Sequence, residues 1–282
     1  MKFAVIPNMT RQNAFGVTKA LLDSLRDCSS AALMDKALEA DFGQNDVIEY
    51  MSPDDALKNC DAVISVGGDG TFINAAKRAV LHNKPLVCIN AGKLAYLACL
   101  ESNELHLIKK IAEGECRTEK RMLLDAQIVD KNEKVLYHSN CVNDAVVSRS
   151  GNIRIQRFSL MCNGSPLINY MSDGIIVATP TGSTAYSLSA GGPIIEPRVE
   201  SILVTPVCSH TVFSRSLVLR DDSLLEIMHD NSGDVILSCD GEPSVTVPAG
   251  SRVVVRRAEL NAEFIKIKPD TFIDILNKKL TN

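Results

Sequence analysis

The residues best suited to chemistry sit in one short stretch, Gly67-Gly68-Asp69-Gly70-Thr71, which follows directly on Ala62-Val63-Ile64-Ser65-Val66. A run of small and β-branched apolar residues bounded by glycine predicts a buried strand, and Phe72, Ile73, Ala76, Ala79 and Val80 recur behind it at helical spacing. A strand, a glycine turn and a helix start in that order suit a phosphate. Three glycines in four residues permit positive φ and close backbone approach, and the amides of a helix start face an anion. No Lys-Ser or Lys-Thr closes the turn, so it is not a Walker loop, and its glycine spacing is not that of the G-x-G-x-x-G dinucleotide turn. Asp69 adds a carboxylate that could accept a proton from a hydroxyl or hold magnesium beside phosphates. An Asp-Gly pair also fits a tight turn without chemistry.

A second candidate segment runs over residues 172–193. There Ile175-Ile176-Val177-Ala178 leads into six Ser or Thr residues between Thr179 and Ser189, interrupted by Gly182 and followed by Gly191-Gly192. Hydroxyls and glycine-freed amides in that density suit phosphate and sugar oxygens, and a polar loop with a helix cap is the plainer alternative. Asp173 at the strand entrance and Tyr186 as a stacking platform favour the ligand reading.

The elements that must position these residues change character along the chain. Residues 1–100 alternate strand and helix: a strand at 3–6, a helix striped by Val17, Ala20, Leu21 and Leu25, a strand at 46–50, a helix started by Ser52-Pro53, and a buried strand at 86–89 closed by Asn90-Ala91-Gly92. In an open parallel sheet the turns at 67 and 90 would share the edge where ligands gather. A helix is expected at 104–112. From about residue 120, short strands separated by turns predict a mostly β domain, with an Asn163-Gly164 hairpin, and Phe272, Ile275, Leu276 and Lys279 mark a terminal helix. The expected organisation is a Rossmann-like α/β domain over 1–100, a sandwich-like β domain over 101–269, and a helical tail over 270–282.

Composition narrows the function. With 30 basic against 34 acidic residues and a net charge of -4, the chain is no electrostatic nucleic-acid binder. No run of eighteen apolar residues suggests a membrane span, and the N-terminal apolar run is too short for a signal peptide, so a cytoplasmic protein is expected. Nine cysteines without a C-x-x-C pair read as small buried hydrophobes.

Gly67-Gly68-Asp69-Gly70-Thr71, Asn143-Asp144 within Val142–Val147, the segment around Thr179-Pro180-Thr181-Gly182-Ser183-Thr184-Ala185-Tyr186, and Ser238-Cys239-Asp240 occur in the order seen in bacterial NAD kinases, which the chain resembles over nearly its whole length. The first motif is shared with lipid and sugar kinases; the hydroxyl-rich segment is far more specific. The resemblance implies phosphorylation of the 2′-hydroxyl on the adenosine ribose of NAD, with ATP or polyphosphate as donor and a divalent cation, magnesium, assisting. It implies Asp69 as proton acceptor with Gly70 beside the substrate. NAD would be held by Asn143 and Asp144, by Asp173, Thr184, Ala185, Tyr186 and Ser189, with Ser187 and Leu188 inside the same run, and by Arg154 at a variable contact position. It also implies a homodimer or homotetramer. The chain departs from the family pattern at three places: Leu94-Ala95-Tyr96-Leu97 replaces Leu-Gly-Phe-Leu, Ser209 stands where proline is common, and Glu242 where some relatives carry glutamine. A lipid or sugar kinase sharing the glycine turn, or a dinucleotide sensor without turnover, are the alternatives.

Overall fold

The computed structural model describes every residue except 93–96, 98, 152–154, 231–232 and 281–282. Two compact units emerge, one formed by Met1–Lys120 with Ala262–Asn282 and the other by Arg121–Asn261. These ranges differ from the cuts at 100 and 270 drawn from the sequence: the first unit extends to Lys120, and the last 21 residues return to it.

In the first unit, strands β1 (Lys2–Pro7), β2 (Ala31–Asp35), β3 (Ile48–Met51), β4 (Ala62–Gly67), β5 (Leu86–Asn90) and β6 (Leu100–Glu101) alternate with helices α1 (Ala14–Asp27), α2 (Glu39–Phe42), α3 (Pro53–Asn59), α4 (Asp69–Val80) and α5 (Ile108–Ala112). All described strand pairs here are parallel and run β3-β2-β1-β4-β5, with β6 beside β5. β4 and β5 are buried at every position, as strands covered on both faces must be. Phe3, Val5, Ala32, Met34 and Ile64 pack with Leu21, Leu22 and Leu25 of α1 and with Ile108 and Ile111 of α5. Helix α3 starts where expected, with Ser52 Oγ accepting the Asp55 N–H at 3.2 Å and Pro53 at its first position. The strand at 31–35 was not foreseen, and the helix expected at 104–112 is a 3₁₀ turn at Leu105–Leu107 running into the short α5.

The second unit is a two-layer sandwich. One sheet is ordered β14-β13-β12-β9-β16-β17, from Leu217–Arg220, Ser201–Val207, Gly174–Ala178, Asp144–Arg149, Val235–Cys239 and Val245–Val247. The other holds β11 (Ser165–Ser172), β10 (Gln156–Cys162), β15 (Leu225–His229) and β18 (Arg252–Lys266), with β7 (Arg117–Val129) joined to β18 and β8 (Val135–Cys141) to β7. Leu124, Phe158, Tyr170, Val253 and Val255 from one sheet share a core with Val147, Ile175, Val177, Ile202 and Leu237 from the other, as an aligned sandwich requires. Asn163 and Gly164, at φ 50° and 76°, make the hairpin turn between β10 and β11 as expected. β18 continues past Asn261, and there Phe264 lies in parallel register with Leu86 of β5. A terminal helix, α6 (Phe272–Leu280), follows, where the sequence pattern placed it.

Candidate functional site

Order β3-β2-β1-β4-β5 reverses direction between β1 and β4, and ligands of open α/β sheets collect beyond the strand ends at such a reversal. Gly67 ends β4 there. Gly67 pairs with Asn90, and its carbonyl accepts the Ala91 N–H at 3.0 Å, so the turns at 67 and 90 do share one edge. The sequence suggested that the glycines serve positive φ. None of Gly67, Gly68 and Gly70 has it. Gly67 is required by crowding instead, since a Cβ would collide with the Thr71 side chain, which is held by the Asn8 amide donating to Thr71 Oγ1 at 3.0 Å. The tight backbone lets α4 begin at Asp69, so this carboxylate stands in the first helical turn where the helix dipole favours negative charge, and Gly70 beside it is exposed. Asp69 Oδ1 accepts the Leu97 N–H at 2.8 Å. Leu97 ends the stretch that departs from the family pattern; Leu94, Ala95 and Tyr96 lie outside the described residues.

In the second unit, three segments far apart in sequence line one cavity of about 390 Å³: Asn143 and Asp144, Ala185 and Tyr186, and Ser238, Asp240 and Gly241. The hydroxyl-rich loop is fastened to the Val142-Asn143 bend between β8 and β9 by its own polar groups. Thr179 Oγ1 donates to the Val142 carbonyl at 2.7 Å and accepts the Gly182 N–H at 3.0 Å, while the Thr179 N–H donates to the Asn143 carbonyl at 2.8 Å. Gly182 lies so close that a Cβ would collide with the Asn143 backbone. Ser183 Oγ, fully buried, donates to the Pro180 carbonyl at 2.7 Å and accepts the Ile195 N–H at 3.0 Å. Much of the hydroxyl density therefore builds the loop.

Asp240 does for the other wall what Thr179 does for this one. Its carboxylate accepts three successive backbone amides, Val142 at 2.8 Å, Asn143 at 2.7 Å and Asp144 at 3.1 Å, from a backbone at φ 54°. The sequence marked Asp240 as part of a motif without giving it a role; its signal was the turn Asp240-Gly241, whose function shows only once the 142–144 segment lies against it. Asp144 is 5% exposed, and burial together with the Asp240 charge pushes its carboxyl up to about 7. The amide oxygen of Asn143 is buried with no hydrogen-bond partner among the described residues. A buried acceptor left open is expensive unless a ligand donates to it. Tyr186 is 47% exposed at the same cavity, as a stacking platform needs.

The remaining expected site residues divide. Thr184 and Leu188 are partly buried and Ser189 exposed in the same loop. Ser187 is fully buried with its hydroxyl against Thr205 Oγ1 at 2.9 Å, so its side chain supports the loop. Asp173 does not join the cavity. It precedes β12, whose far end carries Thr179, and five strand residues span about 16 Å. At that end its carboxylate accepts Arg149 Nε at 2.7 Å, which holds it below the usual carboxylate range. Arg149 is thus a partly buried partner of Asp173 on β9. Arg154 lies outside the described residues.

A phosphate-type turn at a sheet reversal in one unit, and a base-sized cavity with an open buried amide in the other, mark a nucleotide-handling protein of the α/β class. The comparisons agree and go further. The model for the ATP-NAD kinase N-terminal domain matches residues 3–116, and that for the ATP-NAD kinase C-terminal domain matches residues 142–267. An NAD kinase of Caldanaerobacter subterraneus is 36% identical over 283 residues, covering 99% of each chain, and one of Symbiobacterium thermophilum is 36% identical over 282 residues with the same coverage. Among solved structures, yeast NADH kinase complexed with NADH superposes with a TM-score of 0.90 at 23% identity, over 100% of this chain and 87% of that one. An NAD kinase from Archaeoglobus fulgidus in complex with ATP gives 0.74 at 21%, over 100% and 98%. The chain belongs to the NAD kinase family, enzymes that phosphorylate NAD to NADP with ATP.

Proposed function

We propose that this chain makes NADP by transferring the γ-phosphoryl group of ATP to the adenosine-ribose 2′-hydroxyl of NAD, with Asp69 as the proton acceptor. The 2′-oxygen attacks the γ-phosphorus, the bond from that phosphorus to the bridging oxygen of ADP breaks, and the hydroxyl proton passes to the Asp69 carboxylate. Such transfers rely on alignment and charge neutralisation more than on covalent steps, so the amides at the start of α4 contribute by facing the phosphates.

Asn143 and Asp144 hold the dinucleotide, the first through its buried amide oxygen and the second by accepting hydroxyl protons. Ala185 and Tyr186 form the opposite wall, with Thr184 and Ser189 beside them. The single observation that carries this assignment is the cavity of about 390 Å³ that these residues line, within the size range of small-molecule sites. Asp173 and Arg154 are kept as contacts to NAD by family likeness alone.

Magnesium fits the donors available. Among the described residues no three His, Cys, Asp or Glu side chains gather as a metal site. A magnesium ion bound mainly by nucleotide phosphates needs only one or two protein carboxylates, and Asp69 is such a donor. When bound, the ion neutralises charge on the transferring phosphoryl group.

Association into a homodimer or homotetramer is supported by Val212, Phe213 and Val218, large apolar side chains left exposed on the second unit. A cytoplasmic location accords with the family; among the described residues no helix is long and apolar enough to cross a membrane. The test offers purified protein, ATP and magnesium a choice of NAD, diacylglycerol and fructose 6-phosphate. Phosphorylation of NAD is expected, and preference for either other acceptor would reject the reading.

A further inference from the structure

A second cavity, of about 160 Å³, lies in the first unit and involves none of the residues assigned to phosphoryl transfer. It sits on the sheet face opposite α1, under α3 and α4, and is lined by Ala4, Ile6 and Leu33 of the sheet, by Ala56 and Leu57 of α3, and by Arg78 of α4. Its origin is legible residue by residue. Ala4 and Ala56 face the same space with single methyl groups where larger side chains would close the gap between sheet and helix, and Pro7, Leu38 and Pro53 complete an apolar wall.

A void of this volume lined by apolar groups accepts a benzene-sized body. An apolar void alone would accept anything greasy, but here one wall is a cation. Arg78 is partly buried, and its guanidinium makes no hydrogen bond or ion pair to any described residue. Elsewhere the partly buried arginines do find carboxylates: Arg149 has Asp173, Arg252 has Glu133 and Glu226, and Arg257 has Asp221 and Glu200. The other charged residue at the cavity is Asp35. One of its carboxylate oxygens is engaged, accepting the Ala37 N–H at 3.0 Å as the cap of the following turn. The guanidinium fork is left as the donor set for a planar anion.

We propose that this cavity is a binding site for a small apolar carboxylate, with a ring or branched-chain body against Ala4, Leu33, Ala56 and Leu57 and its carboxylate on Arg78. The site is separate from the NAD and ATP contacts, although Arg78 and Asp69 lie on the same helix. Neither residue is needed for the other's role, so the proposal survives or fails apart from the assignment of Asp69.

The probe is benzoate, titrated by calorimetry against the full chain, with benzylamine and toluene as cationic and neutral isosteres. Benzoate is expected to bind at least tenfold more tightly than either isostere. Arg78→Met, which keeps an apolar stem, should erase that preference, and Ala56→Leu should abolish binding of all three. A crystal soaked with 4-iodobenzoate fixes the position without any substitution, with the anomalous iodine peak expected between α3 and the sheet. No benzoate binding, an affinity unchanged in Arg78→Met, or an iodine peak elsewhere would each overturn the proposal.

Discussion

Asp69 and Asp144 are both carboxylates at expected ligand positions, yet their surroundings set them different tasks. Asp69 stands at a helix start with the Leu97 N–H donated to one carboxylate oxygen, which fixes its position. Replacing it with asparagine keeps the hydrogen bond from Leu97 and removes the acceptor, so kcat should fall by about 10²- to 10⁴-fold while Tm stays within a few degrees. Asp144 is raised to about 7 by burial and by Asp240, above the ordinary aspartate value it regains on unfolding. The folded protein therefore holds the extra proton between about pH 4 and 7, and the stability this group contributes is present at low pH and lost as pH rises through 7. Accepting ribose hydroxyls requires the ionised form. NAD affinity, measured by calorimetry on the Asp69→Asn background, should strengthen by at most about tenfold per pH unit as pH rises toward 7, and level off above 8. Asp144→Asn should flatten that profile.

At the scale of elements, the binding cavity depends on three pieces of chain being pinned together by the side chains of Thr179 and Asp240. Thr179 ties the loop to the Val142-Asn143 bend through one buried hydroxyl that donates to the Val142 carbonyl and accepts the Gly182 N–H. Thr179→Val keeps the shape and strands both partners, which should lower stability by about 1–3 kcal/mol in urea unfolding and raise the KM for NAD. Gly182→Ala should do more damage, because the obstacle is the backbone of Asn143, which cannot swing aside as a side chain could. The sequence revealed the loop and its residue types but not this division of labour. Six hydroxyls read alike as ligand donors, whereas burial assigns Thr179, Ser183 and Ser187 to structure. The turn after β4 was legible because its glycines, carboxylate and following helix are consecutive. Its mechanism was misread, since contact between Gly67 and Thr71 arises from the path of the chain and leaves no signature in local propensity.

For the whole molecule, the alternation of strand and helix followed by short strands identified an α/β unit and a β unit, and the family models match them in that order. What local pattern could not carry was the return of the chain. Three consecutive valines, Val253 to Val255, are the local strand signal here, yet the strand runs from Arg252 to Lys266 and ends in the first unit. There the Phe264 ring meets Phe72 of α4 edge-on, with centroids 4.6 Å apart, and Phe264 is 3% exposed. Phe264→Ala should therefore destabilise the first unit by about 3–5 kcal/mol, with lost hydrogen-exchange protection in α4 and β5 and little change in β12. Because α4 also carries Asp69, that variant should lose turnover through local unfolding.

The account as a whole rests on one carboxylate serving one reaction, so NADP formed from NAD, ATP and magnesium by the native chain and by Asp69→Asn is the measurement that bears on it most directly. Ready turnover by the native chain is predicted, together with loss of at least about a hundredfold in the variant at unchanged NAD affinity. Equal turnover by the two proteins, or no NADP from either, would contradict it.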